Sequence, residues 1–463
     1  MVLFALAVVA LPINANIENL RFEHLSLREG LSQATVFDIE QGNDGFIWIA
    51  TQDGLNRFDG YTFKIYKRQF DHTQQWSSNW IRDIAVDDSG QLWLATIRGL
   101  YQFNVNTELF TAFPIQSDGL DEGSPEFIKA NHISVAYFDS QQRLWLGSGY
   151  GLYLFNKKDK RFTAFRHNES DNNSLSDNDV TAIFEDSSNR LWIGTENGGA
   201  NHYIEASGKF TRYQHTINPS SGLVSNQVSS IAEDKHKNIW FGTLQSGVSR
   251  LNFSDGSFSH FQHDPIMTKS LSDNRVNRIF KDSKGGLWVG TFLGVNFFDD
   301  TRNTFSYSQH DPSVVSSLSD NQITSFLEDD SGLLWIGTQS GGVNRLNPAI
   351  ALFGHIKRNP KLNSLNDNGI WSIFEDHLGE LWIGTEKGLN RYNPVTQHYT
   401  SYVYSPSQNS IAKGNVMAII EDSQGIIWLG TLGGGLSQFN RKTGQFKTLV
   451  HDPNNKNSLS HNN

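Results

Sequence analysis

An all-β chain of repeated four-stranded units is the fold class the sequence predicts, and two observations predict it. A hexapeptide centred on tryptophan recurs nine times at nearly even spacing. Between copies lie short runs rich in β-branched and aromatic residues, and no stretch keeps the 3.6-residue apolar spacing of a helix of any consequence.

The hexapeptide reads FIWIAT at Phe46, QLWLAT at Gln91, RLWLGS at Arg143, RLWIGT at Arg190, NIWFGT at Asn238, GLWVGT at Gly286, LLWIGT at Leu333, ELWIGT at Glu380 and IIWLGT at Ile426. Its tryptophans (Trp48, Trp93, Trp145, Trp192, Trp240, Trp288, Trp335, Trp382 and Trp428) are 45, 52, 47, 48, 48, 47, 47 and 46 residues apart. A period of ~40–50 residues holding four strands is that of a β-propeller blade, and such rings close at roughly 4–8 blades. Residues 178–213 show the unit: an inner strand Val180 to Glu185, the Trp strand Arg190 to Thr195, a third run Ala200 to Ile204 and an outer one Phe210 to Tyr213. The turn before the Trp strand repeats as Asp88-Ser-Gly90, Asp186 to Asn189, Asp282 to Gly285, Asp329 to Gly332, Asp376 to Gly379 and Asp422 to Gly425. An Asp that accepts backbone N–H groups, followed by Gly or Asn able to take positive φ, makes a tight hairpin, so these carboxylates are read as turn chemistry.

At the N-terminus, Val2 to Ile13 is a twelve-residue apolar run. It is shorter than the ~20 residues of a membrane span and within the ~7–15 of an export-signal core. Residues 1–16 are read as a signal-peptide-like segment, with a buried first strand as the alternative. Arg21-Phe-Glu-His-Leu-Ser26 has the aromatic spacing of an outer strand without a blade of its own, and can complete the last blade of a ring and cover its edge. The seventh unit ends in an atypical connection, Asn347 to His355. These features place a seven-bladed propeller at 17–346 and the first blades of a second, truncated one at 347–463. Ser458 to Asn463 repeats the opening of a unit, so the chain is expected to continue.

The sequence D-x-x-G-x-L-W-I-G-T, then G-L-N-R-Y (Gly388 to Tyr392) or G-G-V-N-R-L (Gly341 to Leu346), then S-L-S-D-N (Ser174 to Asn178), resembles the two-component regulator propeller repeat over nearly the whole chain after residue 21. The resemblance implies paired propellers forming the periplasmic sensor of a bacterial receptor anchored in the inner membrane. A β-sandwich, a membrane helix and a histidine kinase or diguanylate cyclase output are its implied partners, lying outside this sequence. A homodimer is left open.

Composition narrows the alternatives. With 38 Lys+Arg against 48 Asp+Glu the net charge is −10, and no basic run is present to neutralise a row of phosphates, so nucleic acid is not expected as a partner. Cysteine is absent, which removes disulfides, thiolate metal sites and cysteine nucleophiles. Propellers also host sialidases, lyases and quinoproteins, yet Asp282 precedes Trp288 by six residues where the sialidase box needs five, and the quinoprotein adjacent-cysteine feature is impossible here. His263-Asp-Pro265, His310-Asp-Pro312 and His451-Asp-Pro453 recur at one position, as a turn does. The expectation is a non-enzyme with no cofactor and no metal.

A ligand is expected on the face where loops enter the inner strands and leave the Trp strands. Asn79, Asn131, Asn178, Asn226, Asn274, Asn321 and Asn368 recur before the inner strands, whereas the next residue varies through Trp80, His132, Asp179, Gln227, Arg275 and Gln322. The loop after the Trp strand varies too, contributing Arg98, Tyr150 and Phe292. Aromatic surfaces for stacking beside charges and amides for hydroxyls or carboxylates suit a small molecule or glycan fragment. The function expected is an extracytoplasmic ligand-sensing region that relays binding to an output domain. The alternative is a propeller that only scaffolds protein contacts.

Overall fold

The computed structural model describes residues 20–68, 76–116, 120–347, 358, 363–396, 398–406 and 409–463. The signal-like segment 1–16 lies outside them, as do residues 348–357 beside the expected boundary after Leu346. The chain divides into two compact units, Met1–Phe353 and Gly354–Asn463.

The first unit is a ring of seven four-stranded antiparallel sheets. Their inner strands are Val36–Gln41, Ile81–Val86, Ile133–Phe138, Val180–Glu185, Val228–Glu233, Val276–Lys281 and Ile323–Glu328, each packed against the next and the last against the first. The seventh sheet takes its outer strand from the N-terminus: Glu23–Leu25 pairs antiparallel with Val343–Leu346. The second unit contains two such sheets, with inner strands Ile370–Glu375 and Val416–Glu421.

The repeated residues explain why the blades form and stack. The Trp strand is buried along its whole length in all seven blades of the ring, and its indole packs on the following blade, as Trp192 does on Phe241 and Phe253. The glycine of W-x-G-T marks where the next inner strand presses closest. A Cβ on Gly194 would stand 2.7 Å from Val228 of the next blade, and one on Gly337 would stand 2.8 Å from Val36, so the same contact closes the ring from seventh blade to first.

In eight of nine units an Asp six residues before the Trp accepts the indole N–H, at 2.5–2.9 Å. Its other carboxylate oxygen holds the turn: Asp186 accepts from the N–H of Ser188 at 2.9 Å and of Arg190 at 3.1 Å. In the second blade this residue is Asp87, not the Asp88 that the turn pattern singled out. The first blade has Gly42 there, and the Trp48 indole N–H is buried without a partner among the described residues. The recurrent histidines are turn residues: Nδ1 of His167, His215, His263, His310 and His451 donates to a leucine carbonyl at 2.6–2.9 Å.

One element departs from expectation. Pro125–Asn131 forms a seven-residue helix, capped by the Ser124 hydroxyl accepting from the Phe127 N–H. It occupies the 52-residue spacing between Trp93 and Trp145, so the extra residues of that unit fold locally and leave its four strands intact.

Candidate functional site at the channel mouth

The asparagines before the inner strands build the mouth of the channel. Side chains of Asn79, Asn178, Asn226, Asn274 and Asn321 accept from the N–H groups of Arg68, His167, His215, His263 and His310 at 2.6–2.8 Å. The main-chain carbonyls of Asn79, Asn226, Asn274 and Asn321 accept from Gly54, Gly199, Gly247 and Gly294 of the preceding blade at 2.7–2.9 Å. The asparagines are therefore consumed by the scaffold.

In the third to seventh blades the residue after the asparagine is tied to the loop that leaves the Trp strand of its own blade. The carbonyls of Asp179, Gln227, Arg275 and Gln322 accept from the N–H groups of Glu196, Leu244, Phe292 and Gln339 at 2.9–3.1 Å, and His132 accepts from Gly149 at 3.4 Å. Two variable loops per blade thus meet on one face.

The nine expected residues fall into small local groups rather than one cluster. Arg275 forms a bidentate pair with Asp273 at 2.6 and 3.0 Å and lies 4.6 Å over the Phe292 ring, all within the sixth blade. Trp80, in the second blade, stacks on Phe37 of the first at 5.9 Å, and its indole N–H is buried with no partner among the described residues. Arg82 covers the same Phe37 ring at 4.8 Å. Tyr150 lies under Arg166 at 4.7 Å. Gln227 and Gln322 are partly buried, and the exposed Arg98 guanidinium bonds nothing among the described residues.

His132 and Asp179 sense one another across neighbouring blades. Burial and the Arg82 charge hold the His132 imidazole below its ordinary range, with Asp179 opposing. Burial and Asp177 push the Asp179 carboxyl up, with His132 and Lys129 opposing, and burial with Asp179 and Asp177 does the same to Glu196. This sector of the mouth resists further negative charge. Among the described residues no three His, Asp or Glu side chains converge as metal ligands would.

Sequence reasoning missed the residues lining the channel itself. Phe37 and Arg82 occupy the second position of their inner strands, where other blades have Ser134, Thr181, Ser229, Asn277 and Thr324. At the third position Asp38, Asp83 and Arg278 stand among Val135, Ala182, Ser230 and Ser325. A charge breaking an otherwise small or apolar repeat position is the signal that would have found them.

Comparison with known proteins fits this architecture. The family model described as "Two component regulator propeller" matches residues 174–197, 222–245, 270–292, 317–340, 364–387 and 410–433, each running from the approach to an inner strand to the loop after the Trp strand. Histidine kinase P4 of Formosa agariphila is 48% identical over 59 residues, which are 13% of this chain and 4% of that protein. The solved extracellular domain assigned to a hybrid two-component system of B. thetaiotaomicron superposes with a TM-score of 0.72 at 24% identity, covering 95% of this chain and 55% of that one. Virginiamycin B lyase of Staphylococcus aureus shares the fold at a TM-score of 0.51 and 14% identity, over 71% of this chain and 99% of that one. The chain thus spans about half the length of the extracellular domain it matches. Residues 174–433 carry six copies of the two-component regulator propeller repeat.

Proposed function

We propose that this chain is the extracytoplasmic, periplasmic ligand-sensing region of a bacterial signal-transduction receptor. Its ring holds a small molecule or glycan fragment over the channel mouth without chemical turnover, and binding alters packing against a membrane-proximal module. The observation that carries this reading is the recurrent hydrogen-bonded scaffold of asparagine and glycine, which presents side chains that vary from blade to blade on a single face. Among the described residues no helix is long and apolar enough to cross a membrane. A ligand shifts such a receptor only through differential affinity for two arrangements.

The test is a thermal-shift screen of the chain against neutral and acidic oligosaccharides and organic acids, followed by the Trp80→Ala/Arg275→Ala double variant. Stabilisation scales as RT ln(1 + [L]/Kd), so a ligand held at the mouth loses most of its shift in the variant. A ligand that raises the Tm of parent and variant equally places the binding site elsewhere.

A scaffold for protein contacts is the second reading. It is favoured by the exposure of Ile217 (100%), Ile266 (89%) and Val315 (92%) in the loops that follow the outer strands of three successive blades. Polar substitution of all three would abolish partner capture under that reading and leave small-molecule shifts unchanged.

A further inference from the structure

The channel holds a group of residues that the mouth reading does not use. Asp38, Asp83 and Arg278 occupy the third position of their inner strands, and Glu40 occupies a fifth position filled in other blades by Ala85, Tyr137, Phe184, Ala232, Phe280 and Leu327. These four side chains line a cavity of about 530 Å³ that opens toward the hairpins between inner and Trp strands. Its lining is mixed, with Tyr137, Phe184, Phe280 and Leu327 supplying an apolar part. Such a volume is that of an ordinary small-molecule site.

Its charges do not balance. The Arg278 guanidinium is shared, with one nitrogen 3.5 Å from Asp38 and 3.5 Å from Asp83. Asp38 also accepts the Ile84 N–H at 3.0 Å, and Asp83 the Ala136 N–H at 2.8 Å. Glu40 accepts no hydrogen bond among the described residues. Arg82 is turned to the Phe37 ring, and at the cavity edge Lys281 lies 3.8 Å from Glu233, which is joined there by Glu185. Three carboxylates therefore share one cation in direct contact, Arg278, while Arg82 acts on Asp83 only through its charge, in a confined space where uncompensated charge is costly. Burial raises all three carboxyls, with Asp38 and Asp83 adding to the rise at Glu40.

We infer that this cavity binds an amphipathic organic ammonium compound, its charged nitrogen beside Glu40, Asp38 and Asp83 and its apolar body against Phe184, Phe280 and Tyr137. A cation supplies the missing charge, and aromatic rings in the lining give its apolar body a surface to pack on. A metal ion is the poorer fit, since these carboxylates do not converge as a ligand set. An anion would meet an excess of like charge. The site is independent of the channel-mouth reading, since it shares none of the nine mouth residues.

Isothermal titration of the 463-residue chain with 2-phenylethylammonium chloride tests the inference, with 2-phenylethanol as the neutral counterpart. The expected result is saturable one-site binding of the amine and at least tenfold weaker binding of the alcohol. Glu40→Gln, which breaks no described hydrogen bond, should weaken the amine at least tenfold with an unchanged circular dichroism spectrum. Phe184→Leu serves as a second variant and should also weaken it, while Trp80→Ala/Arg275→Ala should bind the amine as the parent does. Absence of saturable heat, equal affinity for amine and alcohol, or unchanged affinity in Glu40→Gln would overturn the inference.

Discussion

At the scale of single residues, the Asp–Trp pair is the repeated device that fixes every blade of the ring but the first. Trp192 is fully buried, and its indole N–H reaches Asp186 at 2.9 Å while Arg190 Nε donates to the same carboxylate at 2.6 Å. Burial pushes the Asp186 carboxyl up, but hydrogen bonds from Trp192, Arg190 and Ser188 outweigh it and hold it below its ordinary range. Trp192→Ala should cost roughly 3–5 kcal/mol, as large buried aromatics do. Asp186→Ala should cost about 1–3 kcal/mol, because it strands a buried indole N–H and frees the turn. Urea midpoints of the two variants measure both effects, and midpoints equal to the parent's would contradict the clamp. The first blade survives with Gly42 in place of the Asp, so one missing clamp among seven is tolerated in a closed ring.

At the scale of elements, closure depends on a strand of three residues. Glu23–Leu25 supplies the outer edge of the seventh sheet, Glu23 pairs with Arg345, and His24 bonds the Ser317 carbonyl at 2.7 Å. The residues just before it add more burial: Leu20 and Phe22 enter the core beside Trp288, Leu318 and Leu346. Deleting residues 20–26 removes two buried side chains worth about 1.5–3 kcal/mol each and bares the edge of Val343–Leu346. The expected outcome is a lower Tm and concentration-dependent aggregation in size-exclusion chromatography. A monomeric deletion variant with the parent's Tm would show that the ring does not need this strand.

Across the whole molecule, pH acts on the channel and on the turns with opposite signs. Asp38, Glu40 and Asp83 have carboxyls raised chiefly by burial, so the folded ring binds their protons more tightly than the unfolded chain does. Their contribution is fully present below the ordinary carboxylate range and is lost as pH rises through the raised folded values. Turn aspartates such as Asp186 and Asp329 lie below the ordinary range, and their contribution is lost only as pH falls through still more acidic values. His132 and His202, lowered chiefly by burial, lose theirs as pH falls from about 6.5. Glu40→Gln deletes one channel contribution and leaves the histidines and turns in place. Between about pH 5 and about pH 8, any rise in Tm on acidification should therefore be smaller in Glu40→Gln than in the parent. Identical Tm differences in the two proteins would mean that Glu40 does not titrate in this window.

The sequence by itself determined the blade, because the Trp strand is rewritten nine times and the turns and strands around it recur in most copies, so that each copy confirms the others. The 45–52-residue metre, the Trp strand, the Asp turn and the outer strand at Glu23–Leu25 were legible for that reason. The tertiary structure decided which side chains meet. Position within the repeat sets how far a residue lies from the channel axis, but only the order of blades around the ring sets what stands opposite it. Trp80 and Arg275 share a repeat position yet sit in the second and sixth blades, where each finds a local partner in Phe37 or in Asp273 and Phe292. Asp38, Asp83 and Arg278, as much as 240 residues apart, converge because closing seven blades into a ring brings the sixth inner strand across the channel from the first and second.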